Sequence, residues 1–339
     1  MHALVREGAT VVGPRPRGTA SLVGYPESEQ VFQQLVNELW GDDPSRPGTR
    51  SFGKGRLVEG RAARQVLTDA GVVPDFECPP AQSLDYLHRS LEEGELYFLS
   101  NREPTGVTAH CRFRVSGRQP ELWDPVLGTV RPLDSFEQAE GRTTIPLEFD
   151  PYGSLFVVFR RVIDAGAQGT AASNFRKIVA SESLPGQWAV EFDPGLGGPG
   201  SVAFDRLIDW TAHGDPAVRF YSGTARYQTT FDLPRERITA GDRWLLDLGD
   251  VRELAEVRLN DKPLGVVWAV PFRVDITDAV KPVGNRLEVA VVNTWRNRLV
   301  GDRDLPPGRR ITVSNIQAAP DWRTIASGLL GPVRLQIAR

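Results

Sequence analysis

Between residues 107 and 115 the chain alternates strictly, with Val107, Ala109, Cys111, Phe113 and Val115 on one side and Thr108, His110, Arg112 and Arg114 on the other. Side chains of a strand repeat every two residues, so the run predicts a half-buried strand with Cys111 as a small buried hydrophobe and His110 in solvent. Leu155 to Phe159 is apolar at every position, which suits a strand covered on both faces. Period two returns at Trp188, Val190 and Phe192, at Tyr227, Thr229, Phe231 and Leu233, at Phe272, Val274 and Ile276, at Leu287, Val289 and Val291, and at Val333, Leu335 and Ile337. Short alternating strands with turn residues between them predict a small antiparallel β-sandwich over residues 81–163 and a jelly-roll β-sandwich over 181–339. The Ala- and Gly-rich stretch 164–180 reads as a linker, in which Phe175 to Val179 is a candidate opening strand of the jelly roll.

Residues 1–80 follow a different rhythm. Residues 3–13 read as the end of a helix turning through Gly8 into a strand, Thr10 to Val12. A helix is predicted from Ser28 to Trp40, with Val31, Phe32, Leu35, Val36 and Leu39 on one face and Gly41 just past its end. Arg56-Leu57-Val58 reads as a strand, Arg61 to Ala70 as a helix capped by Gly71, and Val72-Val73 as the start of another strand. Strands alternating with helices imply a parallel, doubly wound sheet. Two such units make only part of a normal domain of that kind, so one sheet edge is expected to lack neighbours. The fold class is therefore mainly β and multidomain, preceded by a partial α/β segment.

The length of 339 residues agrees with two or three domains. Arginine is abundant, since only four of the 40 basic residues are lysine (Lys54, Lys177, Lys262 and Lys281). These bases are scattered, and 43 carboxylates outnumber them for a net charge of −3, so no nucleic-acid footprint is expected. Cys78 and Cys111 are too few for a disulfide scaffold, and His2, His88, His110 and His213 lack zinc-ligand spacing. No metal or organic cofactor is expected, although oxygen-rich jelly-roll loops leave structural calcium open. No apolar run is long enough for a transmembrane helix. The opening MHALVREGAT carries Arg6 and Glu7 where a secretory signal would be apolar, so the chain as written is expected in the cytoplasm.

Gly48 to Gly55 (GTRSFGKG) nearly spells a phosphate-binding loop, but Gly55 stands where that loop needs Ser or Thr for magnesium, and a strand follows instead of a helix. Glycosidase chemistry needs two carboxyl groups across a sugar. Neither Asp302 with Asp304 nor Glu92 with Glu93 stands out from the other acidic residues. Tryptophan is the better lead, because sugar rings present C–H faces that stack on indoles while Asn, Asp and Arg satisfy their hydroxyls. Trp268, Trp295 and Trp322 qualify, and Asn293-Thr294-Trp295-Arg296-Asn297-Arg298 directly follows a predicted strand. Core or interface filling by the same indoles is the competing reading. The candidate sugar-contacting residues are Trp268, Trp295, Asn297 and Arg298.

Arg219 to Tyr227 (RFYSGTARY), Asp247-Leu248-Gly249, Ala255 to Asn260 (AEVRLN) and Pro271 to Thr277 (PFRVDIT) resemble the sugar-binding, galactose-binding-like jelly roll of family 2 glycosidases. Together with Tyr97 to Arg102 (YFLSNR), Glu121 to Pro125 (ELWDP), Phe149 to Ser154 (FDPYGS) and Val291 to Leu299 (VVNTWRNRL), they are similar to the C-terminal part of glycoside hydrolase family 106, the α-L-rhamnosidases. Gly8 to Pro14, Tyr25-Pro26 and Leu39-Trp40-Gly41 resemble the amidotransferase-like domain of such enzymes. The turn Asn260-Asp261-Lys262 departs from the family, which usually has glycine in the middle; Asp tolerates left-handed geometry, so the hairpin is expected to survive.

The resemblance implies inverting catalysis by carboxylates on a (β/α)₈ barrel, and no segment of this chain is left to form one. It therefore implies a non-catalytic accessory region that supports a barrel on a separate polypeptide and contacts rhamnose-containing carbohydrate. The alternatives are a free-standing carbohydrate-binding module and a truncated product without function. Full-length relatives resemble secreted or periplasmic enzymes.

Overall fold

A computed structural model describes residues 1–43, 48–78, 84–184, 186–233 and 241–339. The expected boundary at residues 80/81 lies outside them. The chain divides into two compact units, Met1–Glu77 and Cys78–Arg339.

In the first unit, α1 (His2–Glu7) ends at Gly8, whose φ of 129° lets the chain reverse into β1 (Thr10–Val12). After α2 (Glu27–Trp40) come β2 (Thr49–Phe52), β3 (Gly55–Val58), α3 (Ala63–Asp69) and β4 (Phe76–Glu77). β1 and β3 pair in parallel, as the strand and helix alternation requires. β2 joins β3 as an antiparallel hairpin through Gly53 and Lys54. The Gly-Lys-Gly turn is thus structural. A Cβ on Gly53 would lie 2.6 Å from the Arg6 carbonyl oxygen, and one on Gly55 would lie 2.2 Å from that of Val5, so α1 leaves no space for side chains there. Val5, Leu39 and Leu57 form the small core. Two expectations need correcting. Val31 and Leu35 of α2 are exposed beside buried Val36 and Leu39, so the apolar face is only partly covered. Val72 and Val73 form no strand; they are exposed, and pairing begins only at Phe76.

The second unit opens with eight strands: β5 (Leu84–Leu91), β6 (Gly94–Asn101), β7 (Val107–Phe113), β8 (Arg118–Asp124), β9 (Thr129–Pro132), β10 (Glu137–Ala139), β11 (Arg142–Phe149) and β12 (Ser154–Val162). One antiparallel sheet runs β5-β6-β12-β8-β9 and another contains β10-β11-β7. Between them Tyr97, Phe113 and Phe159 meet edge to face, with centroids 4.9 to 6.1 Å apart. Cys111 is fully buried and His110 exposed, as the alternation predicts. Leu155, Val157, Val158 and Phe159 of the central strand β12 are buried.

Residues 164–177 contain no strand, yet they are tied down. The Gln138 side-chain amide nitrogen, Nε2, donates to the Asp164 and Ala167 carbonyls at 3.2 and 2.8 Å. Asn174 pairs with the backbone of Ser135 in both directions, at 2.7 and 2.8 Å. Side-chain amides here replace the ladder that a strand would have supplied.

The remaining strands are β13 (Ile178–Ser183), β14 (Trp188–Phe192), β15 (Ser201–Phe204), β16 (Thr224–Phe231), β17 (Arg243–Asp247), β18 (Asp250–Arg252), β19 (Leu254–Leu259), β20 (Lys262–Val267), β21 (Arg273–Asp275), β22 (Asn285–Val292), β23 (Gly328–Gly331) and β24 (Arg334–Ala338), with helices α4 (Pro216–Arg219) and α5 (Arg296–Asp302). The opening strand β13 starts three residues later than the expected Phe175, after the tied segment. Sheets ordered β13-β24-β17-β21 and β15-β14-β16-β22-β19-β20 enclose one core, and β18 pairs with β23. The predicted alternating positions supply that core: Trp188, Val190 and Phe192 from β14, Leu287, Val289 and Val291 from β22, and Val333, Leu335 and Ile337 around β24 are buried. Within it the Trp210 indole N–H donates to the Tyr227 hydroxyl oxygen at 2.5 Å and the Leu329 N–H donates to the same oxygen at 3.2 Å. The hairpin between β19 and β20 forms as expected, with Asn260 and Asp261 at φ of 54° and 66°. Among the described residues no helix is long and apolar enough to cross a membrane.

Candidate functional site

Two of the candidate tryptophans follow strands that end on the same side of one sheet. β19 lies between β20 and β22 and is antiparallel to both, and Ala255 pairs with Val267 on one side and Val291 on the other. β20 and β22 therefore end on the same side of the sheet, and Trp268 and Trp295 follow those ends. Two strand spacings separate the strands, about 10 Å. Both indoles are open to solvent, at 59% and 66% exposure. Arg252 and Glu253, which lead into β19, are exposed at the same end.

The two polar candidates point the other way. Asn297 is fully buried; its Nδ2 donates to the Ile325 carbonyl at 2.8 Å and to Ser327 Oγ at 2.9 Å, while its Oδ1 accepts the Ile325 N–H at 2.8 Å. That amide is fully committed to protein. Arg298 is also buried, with Nη2 3.0 Å from Asp302 Oδ1. Asp302 Oδ2 in turn accepts the N–H groups of Ile311 and Thr312 and the Thr312 hydroxyl at 3.1, 2.8 and 2.7 Å. These residues shape the site from behind and leave its surface to others.

One such residue is Arg296, whose guanidinium lies over the Trp322 ring at 4.7 Å and whose Nε donates to the Arg323 carbonyl at 2.9 Å. Arg303 Nη1 donates to the Ala319 carbonyl at 2.9 Å. With Asp302 they hold the long irregular segment 303–327 against α5. That segment exposes Ile311, Val313 and Ile316. Its regular structure is a single 3₁₀ turn, Pro307–Arg309, and a connection so long and so irregular is commonly functional. The sequence signal for it is Arg296 beside Trp295.

The carboxylates singled out in the sequence do not form an acid–base pair. Asp302 is consumed as above, Asp304 is an exposed partner of Arg303, and Glu92 and Glu93 sit at the β5–β6 turn. Asp150 is exposed at its surface, yet partial desolvation by the protein around it pushes its carboxyl up, against the Arg273 charge and aided by Asp124 and Asp247. Both of those neighbours are structural: Asp124 Oδ1 accepts the Val126 and Leu127 N–H groups, and Asp247 accepts the N–H of Gly249, Arg273 Nη2 and Gln336 Nε2. Among the described residues no group of three or more His, Cys, Asp or Glu side chains could hold a metal ion.

Comparison with known proteins agrees with the architecture. Residues 1–138 match the family model of α-L-rhamnosidases, glycoside hydrolase family 106, and residues 201–324 match that of the family 2 glycosyl hydrolase galactose-binding domain-like fold. A curated protein of Formosa agariphila named "Putative beta-glucuronidase" is 36% identical over 190 residues, covering 49% of this chain and 16% of that protein. The solved structure of a rhamnosidase from Novosphingobium sp. PP1Y is 35% identical, with a TM-score of 0.80 over 99% of this chain and 31% of its own. The chain thus spans about a sixth of the curated relative and under a third of the solved rhamnosidase. It is a mainly β chain that is similar to the rhamnosidase family over residues 1–138 and to the galactose-binding-like domain over residues 201–324.

Proposed function

We propose that these 339 residues are the non-catalytic, carbohydrate-binding part of an α-L-rhamnosidase-like glycoside hydrolase, and that hydrolysis belongs to a barrel outside them. A (β/α)₈ barrel takes about 250 residues. Here the described residues are committed to a small α/β unit and two β-sandwiches. The observation that supports the binding role is that Trp268 and Trp295 are both exposed and follow strands, β20 and β22, that end on the same side of the galactose-binding-like sandwich. Exposed indoles offer flat apolar faces to the C–H side of a sugar, and Arg252 and Glu253 supply a donor and an acceptor for its hydroxyls. Asn297 and Arg298 act as positioning residues that keep Trp295 at the surface.

The test has two arms. The chain is assayed on an aryl α-L-rhamnoside, where no turnover is expected, and is titrated with L-rhamnose and rhamnose oligosaccharides. Binding weakened by Trp268→Ala or Trp295→Ala is the supporting result. Turnover abolished by a single carboxylate substitution overturns the non-catalytic reading, and binding indifferent to both tryptophans overturns the site. Adding a barrel-bearing rhamnosidase fragment separates an accessory region, which raises that fragment's activity, from a free-standing binding module, which does not.

A further inference from the structure

The outer face of the six-stranded sheet carries a second feature, away from the tryptophan end. A cleft of about 450 Å³ lies across it, within the range of small-ligand sites. Strand register explains its shape. Ala203, Ala189, Gln228, Glu288 and Arg258 lie opposite one another on the consecutive strands β15, β14, β16, β22 and β19. That row spans four strand spacings, about 19 Å. Alanine is disfavoured on an exposed strand, and here Ala189 and Ala203 leave a trough where longer side chains would otherwise cover the sheet.

The walls of the trough are polar and balanced in charge. Gln228 Nε2 donates to Glu288 Oε2 at 3.0 Å, and Arg286 pairs with the Asp261 carboxylate. Arg258 Nη2 donates to the Asp261 carbonyl at 3.1 Å. Two guanidinium groups and two carboxylates thus line the trough. An anion would gain nothing net from such a surface. A neutral polyol fits it, because each hydroxyl both donates and accepts, and the row alternates planar donors with planar acceptors. We infer that this trough is a second carbohydrate subsite, for a neutral oligosaccharide lying across the strands and held by hydrogen bonds without aromatic stacking. The inference rests on the carbohydrate-binding reading above, but on different residues.

The experiment is amide-resolved NMR of the full chain titrated with a neutral L-rhamnose oligosaccharide and, separately, with an oligogalacturonide. Saturable shifts at Ala189, Ala203, Gln228 and Glu288 are expected with the neutral sugar and should hold from low to high salt. Ala189→Trp, which fills the trough from an exposed position, should weaken that binding about tenfold or more, and Gln228→Ala combined with Glu288→Ala should do so without adding bulk. Trp295→Ala should leave the shifts in place. Shifts confined to the tryptophan end overturn the trough and leave the first site standing, whereas shifts confined to the trough do the reverse. A response to the oligogalacturonide alone, fading with salt, overturns the neutral-ligand assignment, and silence at the trough with every sugar overturns the subsite.

Discussion

Arg298 and Asp302 face each other across one turn of α5, Nη2 to Oδ1 at 3.0 Å, with both side chains more than nine-tenths buried. The pair is a structural joint, since the other Asp302 oxygen gathers Ile311 and Thr312 and so ties the segment 303–327 to the helix that begins beside Trp295. Removing one member of a buried ion pair leaves the other without its counter-charge, at a cost of roughly 3–5 kcal/mol. Arg298→Met and Asp302→Asn are therefore each expected to lower stability strongly in denaturant titration. The double variant should lose clearly less than the sum. Strict additivity would mean that the two groups do not interact.

Asn297 and Trp295 are neighbours with opposite fates, which predicts a separation of stability from binding. Asn297→Ala strands the Ile325 N–H and leaves the Ile325 carbonyl only its Ser327 hydroxyl donor, and a group left unsatisfied inside the fold costs about 1–3 kcal/mol. Trp295→Ala removes an exposed ring, so stability should change by no more than about 0.5 kcal/mol while rhamnose affinity falls. Thermal unfolding and sugar titration of the two variants check this. A large stability loss in Trp295→Ala would place that indole in the fold instead of the site.

Strands were readable in the sequence where one face meets the core and the other meets water. Trp188, Val190 and Phe192 and the run from Val107 announce themselves because burial selects every second residue. β2 gave no such signal: Thr49, Arg50 and Ser51 are exposed, and the strand exists because backbone pairing with β3 forms it. In α2 the apolar stripe is wider than the surface covering it, so Val31 and Leu35 could be read as helical but not as exposed. The site shows the same limit. Following a strand end suffices to bring Trp268 and Trp295 to one side of the sheet. The direction of Asn297 depends on where α5 starts, because each helical residue turns about 100°. That start has no side-chain cap at Trp295 to mark it.

The two cysteines should react very differently. Cys111 is fully enclosed between the sheets of the first sandwich, and burial pushes its thiol up, leaving essentially no thiolate. Cys78 is partly exposed. A chromogenic disulfide reagent should therefore titrate one thiol in the native protein and the second only after unfolding. Rapid reaction of both would show that the first sandwich opens under native conditions.

Two aspartates should tilt stability with pH in opposite directions. The Arg339 guanidinium hydrogen-bonds Asp242 at 2.8 and 3.0 Å and holds its carboxyl below the usual range. A carboxyl depressed in the folded state stabilises the fold above its unfolded value, and that contribution disappears as pH falls through the folded value. Asp242→Asn should thus lower the melting temperature at neutral pH, with the deficit closing in acid. Asp150 is raised instead, by partial desolvation first and then by Asp124 and Asp247 against the pull of Arg273. Its folded form favours the proton, so the contribution is present below the ordinary carboxylate range and lost as pH rises through the folded value. Asp150→Asn removes the ionised form and should raise the melting temperature at neutral pH, with the gain vanishing in acid. Melting curves of both variants across pH 3 to 8, about five units, test the two slopes. Parallel slopes would mean that the Arg273 charge outweighs desolvation at Asp150.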